Sequence, residues 1–365
     1  MLRYSTVVLA TILVLPAGLS LLFLLLARQK DGSYDAAKWT HYTRQFRMVP
    51  LFVVPIWWFL CDSFSRLDIF TTLRPYLPRS AFFLGVPVVG IGLARLIVYW
   101  SSKKILARRW TNADIFRLTT WSTITPIVPL LVVAMGIGSL PYQPITGLSW
   151  LAGAAIVLAV GTLRLRSAEG FNSRPVNSGE LYKRTFIMAK KMGVQVRRVS
   201  VVPSGKSHIT NAFAGFKSIG VSDDYGKWLK GTQLDFVVAH ELAHIQQKHG
   251  VKKLATLFVL FIIVAGLGIV VSHCSFTVRA LFPFVAILGP MMTFYLFSRH
   301  CEYEADRIGV DVVGDANASI QALKRLHFHT NESGQFGRFV ELFSTHPALS
   351  QRLGAIAGSR QITAE

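Results

Sequence analysis

The sequence predicts a mainly α-helical membrane protein, with about seven transmembrane helices and a small α+β domain split by a two-helix membrane hairpin. Three observations predict it. Hydrophobic residues make up 52% of the 365-residue chain and charged residues only 16%, against about 25% charged in a soluble domain. The apolar excess is gathered into long runs rather than spread evenly. Between the fifth and sixth runs, and again after the seventh, the composition turns polar and the periodicity becomes that of helices beside short strands.

Val7–Ala27 carries no charge. It is longer than a signal-peptide core and no small-residue cleavage site follows, so it reads as an uncleaved anchor. Met48–Cys61 is short and holds Pro50 and Pro55. Ala81–Trp100 contains one charge, Arg95. An intramembrane charge is a functional hint, but Arg95 stands near the inner end of its run, where its head can snorkel to water. Leu118–Leu140, Gly147–Leu163, Leu254–Ser272 and Ala280–Ser298 complete the set. Most approach the ~20 residues that cross a bilayer.

Loop charges orient these spans. Arg28, Lys30, Lys38, Arg44 and Arg47 follow the first run, and Lys103, Lys104, Arg108, Arg109 and Arg117 follow the third. Fewer, Arg66, Arg74 and Arg79, follow the second, and Pro141–Thr146 after the fourth has none. Only Arg279 separates the last two runs. Alternation puts the N-terminus outside, and residues 164–253 and the C-terminus inside. The expected layout is a five-span membrane domain (1–165), the first part of the split domain (166–253), a membrane hairpin (254–298) and the second part of the split domain (299–365). The net charge of +20 then reflects positive-inside topology and a bilayer with anionic headgroups. Basic residues flank spans and form no nucleic-acid module, so no nucleic-acid partner is expected. Cys61, Cys274 and Cys301 show neither metal-type spacing nor a disulfide framework.

In the polar part, Leu181–Met192 reads as a helix and Val194–Pro203 as a strand with one exposed face. His208–Phe216 and Ser218–Val221 read as further strands, turning at Gly215 and Phe216. Thr232, with Asp235 three residues on, predicts an N-cap. Leu234, Val237, Val238, Leu242 and Ile245 then recur at helical spacing, and Gly250 is a natural stop.

On that helix lies His240-Glu241-Leu242-Ala243-His244. Side chains four apart share a helix face, so both imidazoles can grip one zinc ion while Glu241 reaches its water. A hydrolytic zinc needs a third protein ligand and an open position. Glu302-Tyr303-Glu304-Ala305-Asp306 supplies it, on a predicted helix from Arg299 to Val310 with Glu302 and Asp306 on one face. Glu302 is assigned to the metal, and Asp306 to a ligand imidazole's free N–H. Glu304 projects elsewhere and is expected in solvent. His249 is five residues past His244 and off the ligand face; His208, His327 and His329 are likewise read as surface histidines. After the Glu302 helix come a helix over Ala316–His329, a linker at Ser333–Gly337 and a final helix including Leu349–Ile356.

These segments resemble the M48 metallopeptidases, the group of the CaaX prenyl protease Ste24 and the heat-shock protease HtpX. The likeness rests on Asn211-Ala212-Phe213-Ala214, Ile219-Gly220-Val221-Ser222, Val238–Ile245, Ser298-Arg299 with Glu302–Asp306, and Ser344-Thr345-His346-Pro347 followed by Arg352. It covers roughly residues 180–356; residues 1–170 match only in general layout.

The resemblance implies a zincin-type catalytic domain with one zinc per chain, acting on peptide or membrane-protein substrates. It suggests His346 as a donor to the developing oxyanion and Arg352 for substrate or carboxylate contact. It also suggests that Asn211, Ala212, Phe213 and Ala214 bind an extended substrate as an added strand. Processing or quality control of membrane proteins is expected, at the cytoplasmic face of what is taken as a bacterial inner membrane. Five spans before the zinc helix and two after it resemble Ste24 more than HtpX, which keeps CaaX-type processing as an alternative. An ion-binding transporter would need paired polar residues inside its spans, which are nearly free of them. A client-binding pseudoprotease sits poorly with the intact Glu241. Oligomeric state is left open.

Overall fold

Helices dominate the computed structural model, which describes residues 2–29, 31–45, 79–107, 110–140, 143–166, 173–202, 212–223, 225–329 and 345–362. The expected second span, His208, Asn211, the 333–337 linker and Ser344 lie outside the described residues. The chain divides into two units, one of residues 1–158 and 260–290, the other of 159–259 and 291–365.

The described apolar runs before the polar segment are helices: α1 (Leu2–Leu26), α3 (Arg79–Ile105), α4 (Asn112–Ser139) and α5 (Pro144–Arg166), the last ending beyond the first unit. A short helix, α2 (Ala36–Gln45), lies in the basic segment after α1. Two polar side chains inside this apolar setting find partners, as a low-dielectric interior favours. Ser20 of α1 donates to the carbonyls of Pro16 at 3.0 Å and Ala94 at 3.3 Å. The buried Trp39 donates its indole N–H to Ser102 Oγ at 2.9 Å. Thr111 caps α4 reciprocally with Asp114.

The second unit holds a four-stranded sheet in the order β1-β2-β4-β3. Its strands are β1 (Arg174–Pro175), β2 (Arg198–Val202), β3 (Ala212–Ala214) and β4 (Ser218–Ser222). β2 and β4 run parallel, while β1 and β3 pair antiparallel at the two edges. The β3–β4 turn closes where Gly215 N–H donates to the Ser218 carbonyl at 2.7 Å. Helices α6 (Glu180–Met192), α7 (Tyr225–Trp228), α8 (Thr232–Gln246), α11 (Ala316–His329) and α12 (Leu349–Ile362) belong to this unit. Ile219 and Val221 of the sheet share one buried cluster with Val238 and Leu242 of α8, Leu323 of α11 and Ile356 of α12.

Three local expectations are corrected. Gly231, not Thr232, precedes α8, at φ 57° and with no side-chain cap. Asp235 instead accepts a 2.7 Å hydrogen bond from Arg184, which ties α6 to α8. Gly250 does not stop the helix: α8 ends at Gln246, and the chain turns at Lys248, whose φ is 53°. Gly250 then falls inside α9 (His249–Val271). Finally, the seventh apolar run and the Glu302 segment are one helix, α10 (Phe276–Val313), of 38 residues. Among the described residues, α9 and α10 are the two helices long and apolar enough to cross a membrane.

Candidate metal centre

The turn spacing of α8 sets His240 and His244 one above the other, and their Nε2 atoms lie 3.2 Å apart. Glu302 faces them from α10, with carboxylate oxygens 3.7 Å from His240 Nε2 and 3.5 Å from His244 Nε2. A tetrahedral ion with bonds of about 2.0–2.2 Å separates its ligand atoms by about 3.3–3.6 Å. The spacings, one to each carboxylate oxygen, lie close to that range, and the donor set of two imidazoles and a carboxylate suits a single small divalent cation. Glu241, also buried, adjoins His240 on the same helix.

Close approach of α10 to α8 depends on Gly309. A Cβ there would lie 3.2 Å from the Phe236 ring and 3.4 Å from the His240 backbone nitrogen. The same approach brings Asp306 Oδ1 to 2.9 Å from His240 Nδ1. Arg352 of α12 then clamps Asp306, donating from Nε at 2.7 Å and from Nη2 at 2.6 Å. Of the two contacts expected of Arg352, the structure gives it the carboxylate one, inside the protein. His346 lies 2.8 Å, through Nδ1, from Glu302 Oε2, with its side chain 65% exposed.

Two residues were misread in the sequence. His249 is no surface histidine: it is 1% exposed. Its Nδ1 meets His244 Nδ1 at 2.8 Å and its Nε2 meets Glu304 Oε2 at 3.0 Å. Glu304 is correspondingly paired rather than free in solvent. The five-residue argument assumed an unbroken helix, whereas the corner at Lys248 folds His249 back under His244. A non-glycine residue at positive φ leaves no mark in hydrophobic periodicity.

Burial and charge set the protonation states. Burial lowers the His244 pKa to about 2, so its imidazole is neutral and a competent ligand. Burial raises that of Glu241 to about 7. For Glu302, burial acts upward, but the hydrogen bond with His346 and the nearby imidazoles outweigh it and hold the carboxyl well below its usual range. Burial also acts upward on Asp306, and the Arg352 clamp overrides it. For His240 burial acts downward, and the Asp306 carboxylate more than compensates.

A cleft of about 200 Å³ opens on this cluster, lined by His244, Glu302 and Lys253 and by Ala214, Gly215 and Phe216 at the end of edge strand β3. Ala212, Phe213 and Ala214 are half-buried along that edge. The Phe213 ring covers its cross-strand partner Gly220, where an added Cβ would collide with the ring. A second cavity of about 310 Å³ borders Tyr303, Arg307 and Ala355 and touches neither imidazole of the cluster nor Glu302.

Comparison with known proteins agrees with this geometry. The profile of peptidase family M48 matches residues 175–360, which include every member of the cluster. A protease HtpX homolog from Pelotomaculum thermopropionicum is 27% identical over 224 residues, 50% of this chain and 77% of that one. Protease HtpX from Haemophilus influenzae is 26% identical over 240 residues, 56% of this chain and 83% of that one. The crystal structure of S. mikatae Ste24p shares the fold, with a TM-score of 0.51 at 17% identity over 88% of this chain and 84% of that one. With the profile covering about half the sequence and the whole metal-type cluster, the chain belongs to peptidase family M48, and is an HtpX/Ste24-like metallopeptidase.

Proposed function

We propose that this metallopeptidase is a zinc-dependent endopeptidase that hydrolyses peptide bonds at the cytoplasmic face of a membrane. The observation that carries the reading is the cluster of His240, His244 and Glu302, whose ligand atoms lie within 4.8 Å of one another beside a buried glutamate. His240, His244 and Glu302 would hold the ion, and no fourth histidine or carboxylate joins that group among the described residues. A bound zinc would polarise water and the scissile carbonyl. Glu241 takes the proton from the attacking water and passes it to the leaving amine. Its raised affinity for a proton, from burial, matches it to that exchange near neutral pH. His346, 65% exposed beside Glu302, donates to the oxygen that gains charge. Asp306, held by Arg352, keeps His240 oriented.

Substrate enters extended. Edge strand β3, with Asn211 preceding it, offers main-chain groups to a peptide added alongside, and the cleft at its end leads to the cluster. Backbone pairing reads side chains loosely, which suits processing or quality control of membrane proteins. The topology goes with this reading: seven spans, with a catalytic domain interrupted by the α9–α10 hairpin, and both halves on the positively flanked side. The direct test is casein degradation by the detergent-purified chain, with and without chelator, beside Glu241→Gln. Chelator and mutation should each abolish cleavage, and zinc should restore only the chelated enzyme. Equal cleavage by the Gln variant would refute the proton-transfer role.

A further inference from the structure

Resting on the zinc reading above, we propose that His249 and Glu304 form a positioning relay that fixes the tautomer and orientation of His244. His244 turns Nε2 toward Glu302 and His240, and Nδ1 toward His249. To bind a cation, Nε2 must present its lone pair, so the proton of the neutral ring resides on Nδ1. His244 then donates to Nδ1 of His249, 2.8 Å away. His249, its own Nδ1 accepting, carries its proton on Nε2 and donates to Glu304 Oε2 at 3.0 Å. Every donor meets an acceptor, and the carboxylate at the far end makes each ring in turn a better donor of electron density to the next.

The arrangement parallels that on the other ligand. His240 Nδ1 faces Asp306, which Arg352 clamps. The two imidazoles thus have separate supports, one carboxylate direct and one through a second histidine. His249 is 1% exposed, so its ring is a fixed part of the interior. The corner at Lys248, with φ 53°, is what turns His249 back beneath His244. Both relay residues lie on the metal-bearing unit.

The test is zinc affinity of the full detergent-solubilised chain, by competition with a chromophoric chelator, for the unaltered protein and for His249→Leu, His249→Gln, Glu304→Gln and the double variant His249→Leu/Glu304→Gln. Loss of an outer partner of a ligating histidine weakens metal binding by about 10–100-fold. His249→Leu should fall in that range, and His249→Gln, which keeps an acceptor for the His244 N–H, should recover most of it. Glu304→Gln should weaken binding less, and its effect should vanish once His249 is Leu. That non-additivity is expected of residues acting through one chain of hydrogen bonds, and the recovery of zinc affinity in His249→Gln at unchanged thermal stability is what a merely structural role would not produce. Unchanged affinity in Glu304→Gln, a near-isosteric change at a half-buried position, overturns the relay. So does additivity in the double variant. An unaltered chain that binds no zinc brings down the zinc reading itself, and the relay with it.

Discussion

At the scale of single residues, each neighbour in the cluster sets another's protonation. Burial drives His244 to its neutral, ligating form and Glu241 toward its protonated one, while His346 and the imidazoles keep Glu302 ionised. Glu241→Gln should retain metal yet lose activity by about 10²–10⁴-fold, checked by metal analysis and peptide cleavage on one preparation. A base must be ionised to act, so kcat/KM should fall as the pH drops through the Glu241 pKa. That pKa is about 7 without the ion, and a bound cation moves it lower. A profile that instead climbs on acidification would contradict the assignment. His346→Ala should lower kcat by about 10²–10³-fold with little change in KM; steady-state kinetics giving a pure KM effect would place His346 in substrate binding. The facing pair His240 and His244 was legible in the sequence, because a four-residue spacing on a helix fixes geometry. Glu302 and Asp306 were legible for the same reason. His249 and Glu304 were not, since their meeting depends on a corner that composition does not encode.

At the scale of elements, two glycines decide how closely parts approach. Gly309 lets α10 lie against α8, and so brings a carboxylate from a distant stretch of chain to the histidine pair. Gly220 lies under the Phe213 ring across the β3–β4 ladder. Gly220→Ala should therefore displace that ring, cost about 1–3 kcal/mol, and raise KM by loosening the edge strand. Thermal unfolding and kinetics together check it, and an unchanged melting temperature would show that Phe213 has room to move. Helices and strands of the polar segment were readable from periodicity, within a few residues at their ends. The start of α8 was not, because Asp235 pairs with Arg184 of another helix rather than capping its own. Nor was the continuity of α10, since a change from apolar to charged composition looks like a boundary even where the backbone runs straight on.

At the scale of the whole molecule, the apolar excess and the placement of basic residues argue for a membrane, and two described helices have the length and composition to cross one. The proposed topology puts the turn between α9 and α10 on the outer side, and Cys274 in that turn is exposed. In a chain with Cys61→Ala and Cys301→Ala, a membrane-impermeant maleimide should label Cys274 in right-side-out vesicles. Labelling only after permeabilisation would invert the topology.

The central claim is that His240, His244 and Glu302 converge on one zinc ion. Its most direct test is the zinc content of the purified chain beside Glu302→Ala, by elemental analysis. The account predicts one zinc per unaltered chain and loss of most of it in the variant, with the fold retained. Full zinc occupancy in Glu302→Ala, or none in the unaltered chain, would contradict it.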